Sequence, residues 1–339
     1  MDLVLREQPW YRIGMKGSDE GPPRATQAPE TRRSCPVCGS GQSADYARKG
    51  ELRLARCARC SMVFLDPVPA AYASGAFYNT TAAGYYLSPA KLESDYAPVR
   101  FERELRIFRK FCQTGAVLDV GCSSGAFLYQ LNRRFAGCYD VVGTDASGPA
   151  LDYAKSRGLC VARGDFLLQD FGGRKFDAVS FWAVLEHLAQ PKSFLEHAFL
   201  LLKPGGVCFA LVPNLQSLAS RLLRTRYRYV YPQHLNYFTR ATMSRLAETQ
   251  FEIVQIFSTH FNPVVIWQDW RGGGKEVANE DRAELLKRTT AFKENPLLGP
   301  LKALYRAAEA GLGALNLADN LVFILRKPAG NAGNREPLG

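Results

Sequence analysis

Short apolar runs alternate with helix-periodic segments through the middle of this chain of 339 residues. The runs predict β-strands near residues 116–120, 139–144, 159–163, 176–181 and 206–212. The segments between them predict helices near residues 125–136, 148–157 and 191–202. Buried strands that alternate with helices indicate an α/β fold, in which a mostly parallel sheet is covered by helices on both faces.

The stretches on either side of this block carry weaker patterns. Residues 91–111 are charged, with apolar residues at helical spacing, and predict one amphipathic helix. The elements predicted after residue 213 are helices at 215–224, 240–250 and 297–317 and strands at 252–259 and 321–325. The last of these helices carries a stripe of leucines. We expect that stripe to be buried against the sheet or in a homodimer, with attachment to a membrane surface as the alternative.

The amino-acid composition indicates a cellular location and the kind of partner to expect. The hydrophobic content of 47% fits a globular protein with a sizeable core, and no apolar run reaches the roughly 18 residues that a membrane span needs. Nine cysteines without an export signal favour a reducing, cytoplasmic location over a disulfide framework. The net charge of +11 favours an acidic partner, which could be a phosphorylated small molecule, an anionic lipid surface or nucleic acid.

Two C-x-x-C pairs lie near the N-terminus, separated by 18 residues. The four cysteines are Cys35, Cys38, Cys57 and Cys60. This spacing predicts a ribbon in which four thiolates surround a structural Zn²⁺ and leave no open position for a substrate. A pair of redox dithiols is the alternative. The predicted organisation is a disordered tail at 1–31, the ribbon at 32–66, a linker and helical cap at 67–112, the α/β domain at 113–327, and a second disordered tail at 328–339.

The sequence V-L-D-V-G-C-S-S-G at residues 117–125 carries the candidate chemistry. A strand that enters a helix through a glycine turn lets a ligand approach bare backbone at the positive end of the helix. Asp119, two residues before Gly121, would face an ammonium group, which S-adenosylmethionine has at its methionine end and dinucleotides lack. The methionine carboxylate can meet the helix that begins after Gly125. Asp145, at the end of the next strand, suits the ribose hydroxyls.

A third acidic residue follows the third strand. Asp165 can accept a hydrogen bond from the adenine amino group, with Phe166 beside the ring. The two middle-strand motifs L-D-V-G-C-S-S-G and V-G-T-D-A-S, with G-D-F, F-D-A-V-S-F-W-A-V-L-E-H-L and L-L-K-P-G-G, are specific in combination. Through them residues 116–212 resemble class I S-adenosylmethionine-dependent methyltransferases of the group that includes ubiquinone-pathway and deoxysugar enzymes. The leading ribbon and the segment F-L-D-P-V-P also resemble bacterial members.

This resemblance implies a Rossmann-like sheet of seven strands, mostly parallel, whose last strand inserts antiparallel. It also implies a set of cofactor contacts along the carboxyl ends of the strands. The residues predicted to bind the cofactor are Asp119, Gly121, Cys122, Gly125, Asp145, Ala146, Asp165, Phe166 and Trp182. Metal-assisted members of the quinone group carry an acidic residue three positions before the Glu-His pair. Here that position is Ala183, so a catalytic divalent metal is not expected.

The acceptor side of the site is less specific. His187 follows the fourth strand and His234 follows the fifth, at the edge where open α/β sheets bind ligands. Each is a candidate general base, with Glu186 beside them, and each could instead cap a helix or pack against aromatic neighbours. The residues predicted to bind the acceptor are Tyr78, Tyr86, Arg226, Arg228 and Tyr237. The arginines lie in one short loop, which favours a small anionic acceptor over nucleic acid.

The sequence therefore predicts a methyltransferase that uses S-adenosylmethionine and acts on a small phosphorylated or nucleotide-linked acceptor such as a sugar. One alternative is an RNA or protein methyltransferase that reads its substrate with the ribbon. Another is a binding protein with a catalytically inactive methyltransferase fold. The four intact residues Asp119, Gly121, Asp145 and Asp165 count against the last alternative.

Overall fold

The computed structural model describes residues 32–69, 72, 76–79, 81–275 and 277–329. The tail predicted at 1–31 lies outside the described residues, and so do residues 330–339 of the tail predicted at 328–339, whose first two residues, 328 and 329, are described. The strands are β1 Ser43–Lys49, β2 Leu52–Cys57, β3 Val63–Leu65, β4 Gly115–Val120, β5 Tyr139–Asp145, β6 Val161–Arg163, β7 Phe176–Trp182, β8 Leu202–Pro213, β9 Asn236–Tyr237, β10 Glu252–Thr259 and β11 Asn320–Arg326. The α-helices are α1 Ala76–Asn79, α2 Thr81–Tyr86, α3 Pro89–Tyr96, α4 Glu102–Phe111, α5 Ala126–Arg134, α6 Gly148–Ser156, α7 Pro191–Leu201, α8 Leu218–Leu223, α9 Arg240–Ala247, α10 Pro263–Gly272, α11 Asn279–Glu294 and α12 Gly299–Ala314.

A seven-stranded sheet forms the centre, in the order β10-β11-β8-β7-β4-β5-β6. The strands from β8 to β6 run parallel, and β11 is antiparallel to both β8 and β10. The strand order reverses direction around β4, so the crevice for a ligand lies at the carboxyl ends of β4, β5 and β7. The predicted α/β, Rossmann-like fold is confirmed.

Apolar side chains from both faces of the sheet hold it between the helices. Phe181 on β7 and Phe209 on β8 are fully buried, as are Leu118 on β4 and Phe323 on β11. Each such side chain contributes about 1.5–3 kcal/mol by leaving water. Phe209 stacks near Phe108 of α4, with ring centroids 4.7 Å apart, so the helix before the glycine turn is fixed to the sheet.

The cysteine ribbon is part of a second, antiparallel sheet of four strands, in the order β1-β2-β3-β9. Its last strand comes from much later in the chain, since Val63 pairs with Tyr237 and Phe64 with Asn236. Arg33 reinforces this junction by donating to the side chain of Asn236 at 3.0 Å. The ribbon is therefore joined to the large domain through β9.

The prediction of one helix at 91–111 is wrong. The structure has two helices there, α3 and α4, with Pro98 in the segment between them. Proline lacks the backbone N–H that a helix interior needs, and it disfavours helical geometry in the residue before it, Ala97.

The expectation that the leucine stripe is buried against the sheet is also wrong. The inward face of α12 instead presents Tyr305 and the buried Glu309. Four of the stripe's leucines are exposed: Leu297, Leu301, Leu304 and Leu315. Contact with a second copy of the chain stays a prediction. Among the helices in the described ranges, none is both long enough and apolar enough to cross a membrane.

Candidate functional site

The glycine turn after β4 leaves backbone open at the start of α5. Gly121 has a φ of 72°, and a Cβ added there would lie 2.6 Å from Val184 Cγ2. Gly125 caps α5 with a φ of 77°, and its added Cβ would lie 2.3 Å from Leu159 Cδ1. Any side chain at either position would clash, so both positions require glycine. Ser123, in the middle of the turn, adopts the left-handed region with a φ of 52°.

Asp119 lies buried at the carboxyl end of β4. Its Oδ1 accepts a hydrogen bond of 2.6 Å from Ser180 Oγ on β7. Burial, with a smaller contribution from the charge of Asp145, raises the pKa of Asp119 to about 7. A carboxylate in this environment is stabilised by a cation, because opposite charge offsets the cost of burial. The amino group of a methionine moiety would supply that cation.

Asp145 links the end of β5 to the glycine turn. Its Oδ2 accepts from the Ser123 backbone N–H at 2.8 Å, and its Oδ1 accepts from the Ser147 N–H at 2.8 Å. Each carboxylate oxygen retains a lone pair for a ligand hydroxyl. Ala146 beside it is exposed, as is Asp165, whose Oδ1 accepts from the Leu167 N–H at 3.0 Å. The acidic residues therefore line one edge, from the buried Asp119 to the exposed Asp165.

Two residues predicted to contact the cofactor have their side chains in the core. The ring of Phe166 is buried against Phe181, Phe194 and His197, which is a core position and leaves little ring surface for adenine. The Cys122 side chain also points into the core, where its sulfur would be 2.6 Å from a Cβ added to Gly143. Contact between the backbone of Cys122 and the cofactor stays a prediction.

Trp182, at the end of β7, packs its ring against Phe127 and Phe209. Its Nε1 donor is buried and has no hydrogen-bond partner among the described residues. A buried donor without a partner is costly, so an acceptor atom from a ligand would stabilise it. Contact of Trp182 with the cofactor stays a prediction.

Glu186, His187 and His234 come together on the acceptor side. One ligand-capable atom from each residue lies within 4.8 Å of the others. His187 Nδ1 is 2.9 Å from the Gln233 carbonyl oxygen, and His234 Nδ1 is 2.9 Å from the Tyr229 carbonyl oxygen. A carbonyl only accepts, so each Nδ1 carries the proton and each Nε2 keeps a free lone pair.

The electrostatic state of this cluster follows from its burial. Burial raises the pKa of Glu186 to about 8 and is the main cause that lowers the pKa of His187 to about 4. The pKa of His234 is also lowered, mainly by burial. Glu186 Oε2 has no hydrogen-bond partner among the described residues. Two neutral imidazoles beside such a carboxyl group can take a proton from an acceptor, and their ligand atoms could also hold a divalent cation.

Tyr78 on α1 lies between this cluster and the cofactor side. Its ring contacts the His187 ring edge-on at a centroid distance of 6.0 Å. The pKa of Tyr78 is raised, first by burial and then by charges that include both Glu186 and Asp145. Its buried hydroxyl has no partner within the described ranges. Tyr86 on α2 is half-buried nearby, and its pKa is raised mainly by burial and also by Tyr231 and Asp145. The structure thus brings these two predicted tyrosines to the mouth of the site.

Three other predicted acceptor contacts are placed differently. Arg228 donates from Nε to Asp269 Oδ1 at 2.8 Å, so its charge is already neutralised within the fold. Arg226 is exposed and packs beside Gly274. Tyr237 is buried in β9, where it packs with Leu54, Val63 and Val230. The sequence of an arginine-rich loop does not reveal which guanidinium groups pair with carboxylates elsewhere in the chain. The partner of Arg228, Asp269, lies on α10.

Three side chains of the site are not among the predicted contacts given above: Tyr229, Tyr231 and Arg282. Tyr229 and Tyr231 flank His234, with Tyr231 4.3 Å from its ring by centroid distance. Arg282 on α11 lies over Tyr231, its guanidinium carbon 4.9 Å from the ring centroid. The two tyrosines lie in the same Arg/Tyr-rich segment as His234, so the sequence marks them as candidates for the same site. Nothing local marks Arg282, because α11 has no motif and reaches the site only through tertiary packing.

The cysteines of the ribbon form a compact group. Cys35 Sγ lies 3.4 Å from Cys60 Sγ, and Cys38 Sγ lies 3.5 Å from Cys57 Sγ. Tetrahedral Zn²⁺ with Zn–S bonds of about 2.3 Å needs sulfur atoms roughly 3.8 Å apart, so the group fits the ion with small adjustments. The four residues that the C-x-x-C spacing predicted are therefore together in space.

Comparison with known proteins agrees with this geometry. Residues 95–256 match the family model described as a methyltransferase domain. The ubiquinone biosynthesis O-methyltransferase of Cereibacter sphaeroides is 31% identical over 149 residues, which are 41% of this chain and 59% of that protein. The ubiquinone biosynthesis O-methyltransferase of Glaesserella parasuis is 26% identical over 197 residues, which are 51% of this chain and 82% of that protein. The chain thus spans less than two thirds of the Cereibacter protein.

The comparison with solved structures gives a weaker similarity. Haemonchus contortus phosphoethanolamine N-methyltransferase 2, in complex with S-adenosyl-L-methionine, is 18% identical and matches over 78% of this chain and 63% of that chain, with a TM-score of 0.48. A similarity of this size supports no argument about the site. The family match, the relatives and the sheet order together show that residues 95–256 lie in a class I S-adenosylmethionine-dependent methyltransferase domain.

Proposed function

We propose that this chain transfers a methyl group from S-adenosylmethionine to a hydroxyl oxygen of a small anionic acceptor, such as a phosphorylated or nucleotide-linked sugar. The observation that carries the proposal is the pair of neutral imidazoles, His187 and His234, with free Nε2 atoms beside Glu186. A hydroxyl acceptor needs a base, whereas a neutral amine does not need one to attack. The two relatives named above are O-methyltransferases, which also favours oxygen.

Cofactor binding follows from the residues at the carboxyl ends of β4 and β5. Asp119 would hold the ammonium group, the turn at Gly121 and the start of α5 would receive the methionine carboxylate, and Asp145 would accept from the ribose hydroxyls. When bound, S-adenosylmethionine supplies a methyl group on a positively charged sulfur. The protein's contribution is to align the acceptor oxygen with that methyl group and to keep water out.

Proton removal is assigned to the histidine pair. Nε2 of His234 or His187 would accept the proton that the acceptor hydroxyl loses when its oxygen is methylated. The positive charge that the methyl donor loses would then reside on the imidazolium, and the other products would be a methyl ether and S-adenosylhomocysteine. Burial lowers the pKa of both imidazoles, so the proton leaves readily to solvent at neutral pH.

The experiment is a panel of small acceptors incubated with the protein and S-adenosylmethionine labelled in its methyl group, followed by mass spectrometry. The panel pairs each anionic compound with a neutral counterpart, and it includes RNA and a protein lysate as separate samples. Labelled methyl ethers on anionic small molecules support the proposal. Label that appears only in RNA or protein, or no stabilisation of the protein by S-adenosylmethionine, would overturn it.

We also infer that Cys35, Cys38, Cys57 and Cys60 bind one structural Zn²⁺ ion. The support is the close group of sulfur atoms together with the tight turns at Gly39 and Ser61, whose φ values are 71° and 61°. Elemental analysis of the purified protein tests this inference. We expect about one zinc per chain, from four thiolates and one tetrahedral ion. Replacement of Cys57 by serine should abolish retention of the metal, while Cys138→Ser, outside the cluster, should not change it.

A further inference from the structure

We propose that Arg282 is the residue that binds the anionic group of the methyl acceptor. This inference rests on the proposed function and identifies the contact that would select the substrate. Arg282 lies on α11, which belongs to the segment between β10 and β11. These two strands pair antiparallel, and a turn of two residues would be enough to connect them. The chain instead inserts residues 260–319 there, and this insertion carries α11 to the acceptor side.

The guanidinium group is positioned beside the candidate base. It lies over the rings of Tyr231 and Tyr85, with its carbon 4.9 Å and 5.5 Å from their centroids. Tyr231 in turn contacts the His234 ring at 4.3 Å. Arginine on an aromatic face keeps its N–H donors free at the edge, where they can bind a carboxylate or a phosphate through two parallel hydrogen bonds.

Arg282 differs from the cations around it in having no acidic partner. Lys287 and Arg288 on the same helix pair with Glu93 and Glu284, and Arg228 pairs with Asp269. Within the described ranges, no carboxylate oxygen lies within 4.0 Å of the Arg282 guanidinium group. The neutral Tyr231 hydroxyl interacts with Arg282 but brings no opposite charge. A half-buried cation without an acidic partner is unfavourable, and an anion brought by the acceptor would remove that cost.

The surrounding groups leave this positive charge uncompensated at neutral pH. The imidazoles of His187 and His234 are neutral, since burial lowers the pKa of each and the charge of Arg282 lowers it further. Burial raises the pKa of Glu186 to about 8, so its carboxyl group is mostly protonated at pH 7. Tyr78, Tyr86, Tyr229 and Tyr231 are uncharged, because burial raises the pKa of each. The cluster therefore favours an acceptor that carries a carboxylate or phosphate group.

The test measures anion binding directly and does not require knowledge of the acceptor. Wild type, Arg282→Gln, Arg282→Lys and Arg288→Gln are each saturated with S-adenosylhomocysteine and titrated calorimetrically with inorganic phosphate and with benzoate. We expect wild type to bind at least one of the two anions. Arg282→Gln should bind it about 10- to 100-fold more weakly, Arg282→Lys should lie between, and Arg288→Gln should match wild type.

Two results would overturn the proposal: equal anion affinity in Arg282→Gln and wild type, or no binding of either anion by wild type. The S-adenosylhomocysteine titration that precedes each measurement separates this inference from the proposed function. If wild type fails to bind S-adenosylhomocysteine, the proposed function is wrong. If it binds S-adenosylhomocysteine and Arg282→Gln keeps both that affinity and the anion affinity, only the role of Arg282 is wrong. Which of the two anions binds also separates a phosphate-bearing from a carboxylate-bearing acceptor.

Discussion

The two halves of the proposed site, one for the cofactor and one for the acceptor, are built in different ways. The cofactor half comes from neighbouring parallel strands, since Asp119, the glycine turn and Asp145 lie at the ends of β4 and β5. The acceptor half gathers side chains from distant segments: Tyr78 from the N-terminal helices, His187 after β7, His234 before β9 and Arg282 from the insertion. One half depends on local turn geometry, whereas the other depends on long-range packing.

This difference suggests how binding and specificity are divided. The cofactor half is fixed by backbone geometry at two glycines that tolerate no side chain, so it leaves little room for change. The acceptor half is held by loops and short helices around β9, and such segments accept substitutions and insertions more easily. We infer that the donor site is common to the domain, while the acceptor site is particular to this chain.

The largest effect should come from removing both candidate bases. We expect His187→Ala/His234→Ala to lower kcat by about 10²- to 10⁴-fold, the range that general base catalysis contributes. Affinity for S-adenosylmethionine should stay within about twofold of wild type, because the hydrogen bonds of Asp119 and Asp145 within the described ranges go to Ser180, Ser123 and Ser147 and not to either imidazole. His197→Ala, a histidine away from the cluster, serves as the control. Turnover near the wild-type rate in the double variant would exclude a role of the histidines as general base. The same assay in EDTA and in Mg²⁺ tests the alternative that the histidines bind a divalent cation.

Loss of the zinc ion that we infer in the ribbon should damage the proposed acceptor half more than the proposed cofactor half. β9 belongs to the ribbon sheet, and Asn236 on it donates to the carbonyls of Leu185 and Leu188, which bracket Glu186 and His187. We expect Cys57→Ser to lower methyl transfer roughly as much as His234→Ala alone. Affinity for S-adenosylhomocysteine should fall much less. Equal losses of methyl transfer and of affinity for S-adenosylhomocysteine would show that the ribbon supports the two halves equally.

The charge of Asp119 should make cofactor affinity depend on pH. Burial raises its pKa to about 7, and an ammonium ligand favours the ionised form. Below pH 7 the carboxyl group must release its proton before it pairs with the ligand, so affinity should fall about tenfold per pH unit below 7 and level off above it. Calorimetry between pH 5.5 and 8.5 measures this slope. Asp119→Asn should bind about 10- to 100-fold more weakly at pH 8 and show a flatter profile.

Glu186 should produce a smaller effect, on stability. Burial raises its pKa from 4.5 to about 8 in the folded state. A raised pKa stabilises the fold while the group is protonated, so this contribution is complete below pH 4.5 and is lost as the pH rises through 8. The free energy of unfolding of wild type should therefore fall between pH 5 and 9, and that of Glu186→Gln should fall less. The difference between the two decreases should be on the order of a few kcal/mol at most. Thermal unfolding in EDTA gives the comparison, and parallel curves for both proteins would show that Glu186 does not titrate as its burial implies.

The same contrast explains what could be predicted from the sequence. The strand ends, the glycine turn and the cysteine pairs lie in short continuous motifs, and the structure places these elements where the patterns indicated. The roles of Phe166 and Arg228 could not be foreseen, because burial against Phe181 and pairing with Asp269 depend on residues far along the chain. Arg282 lies in a helix without a motif, so only the folded insertion reveals its position beside Tyr231.

The most direct test of this account compares S-adenosylmethionine affinity in three proteins by calorimetry at pH 8: wild type, Asp119→Asn and the His187→Ala/His234→Ala variant. The account predicts that wild type and the double histidine variant bind within about twofold of each other, since the base cluster lies outside the cofactor half. Asp119→Asn should bind at least about tenfold more weakly, through loss of its charge on the ammonium group. Absence of binding by wild type, or equal affinity in wild type and Asp119→Asn, would contradict the account.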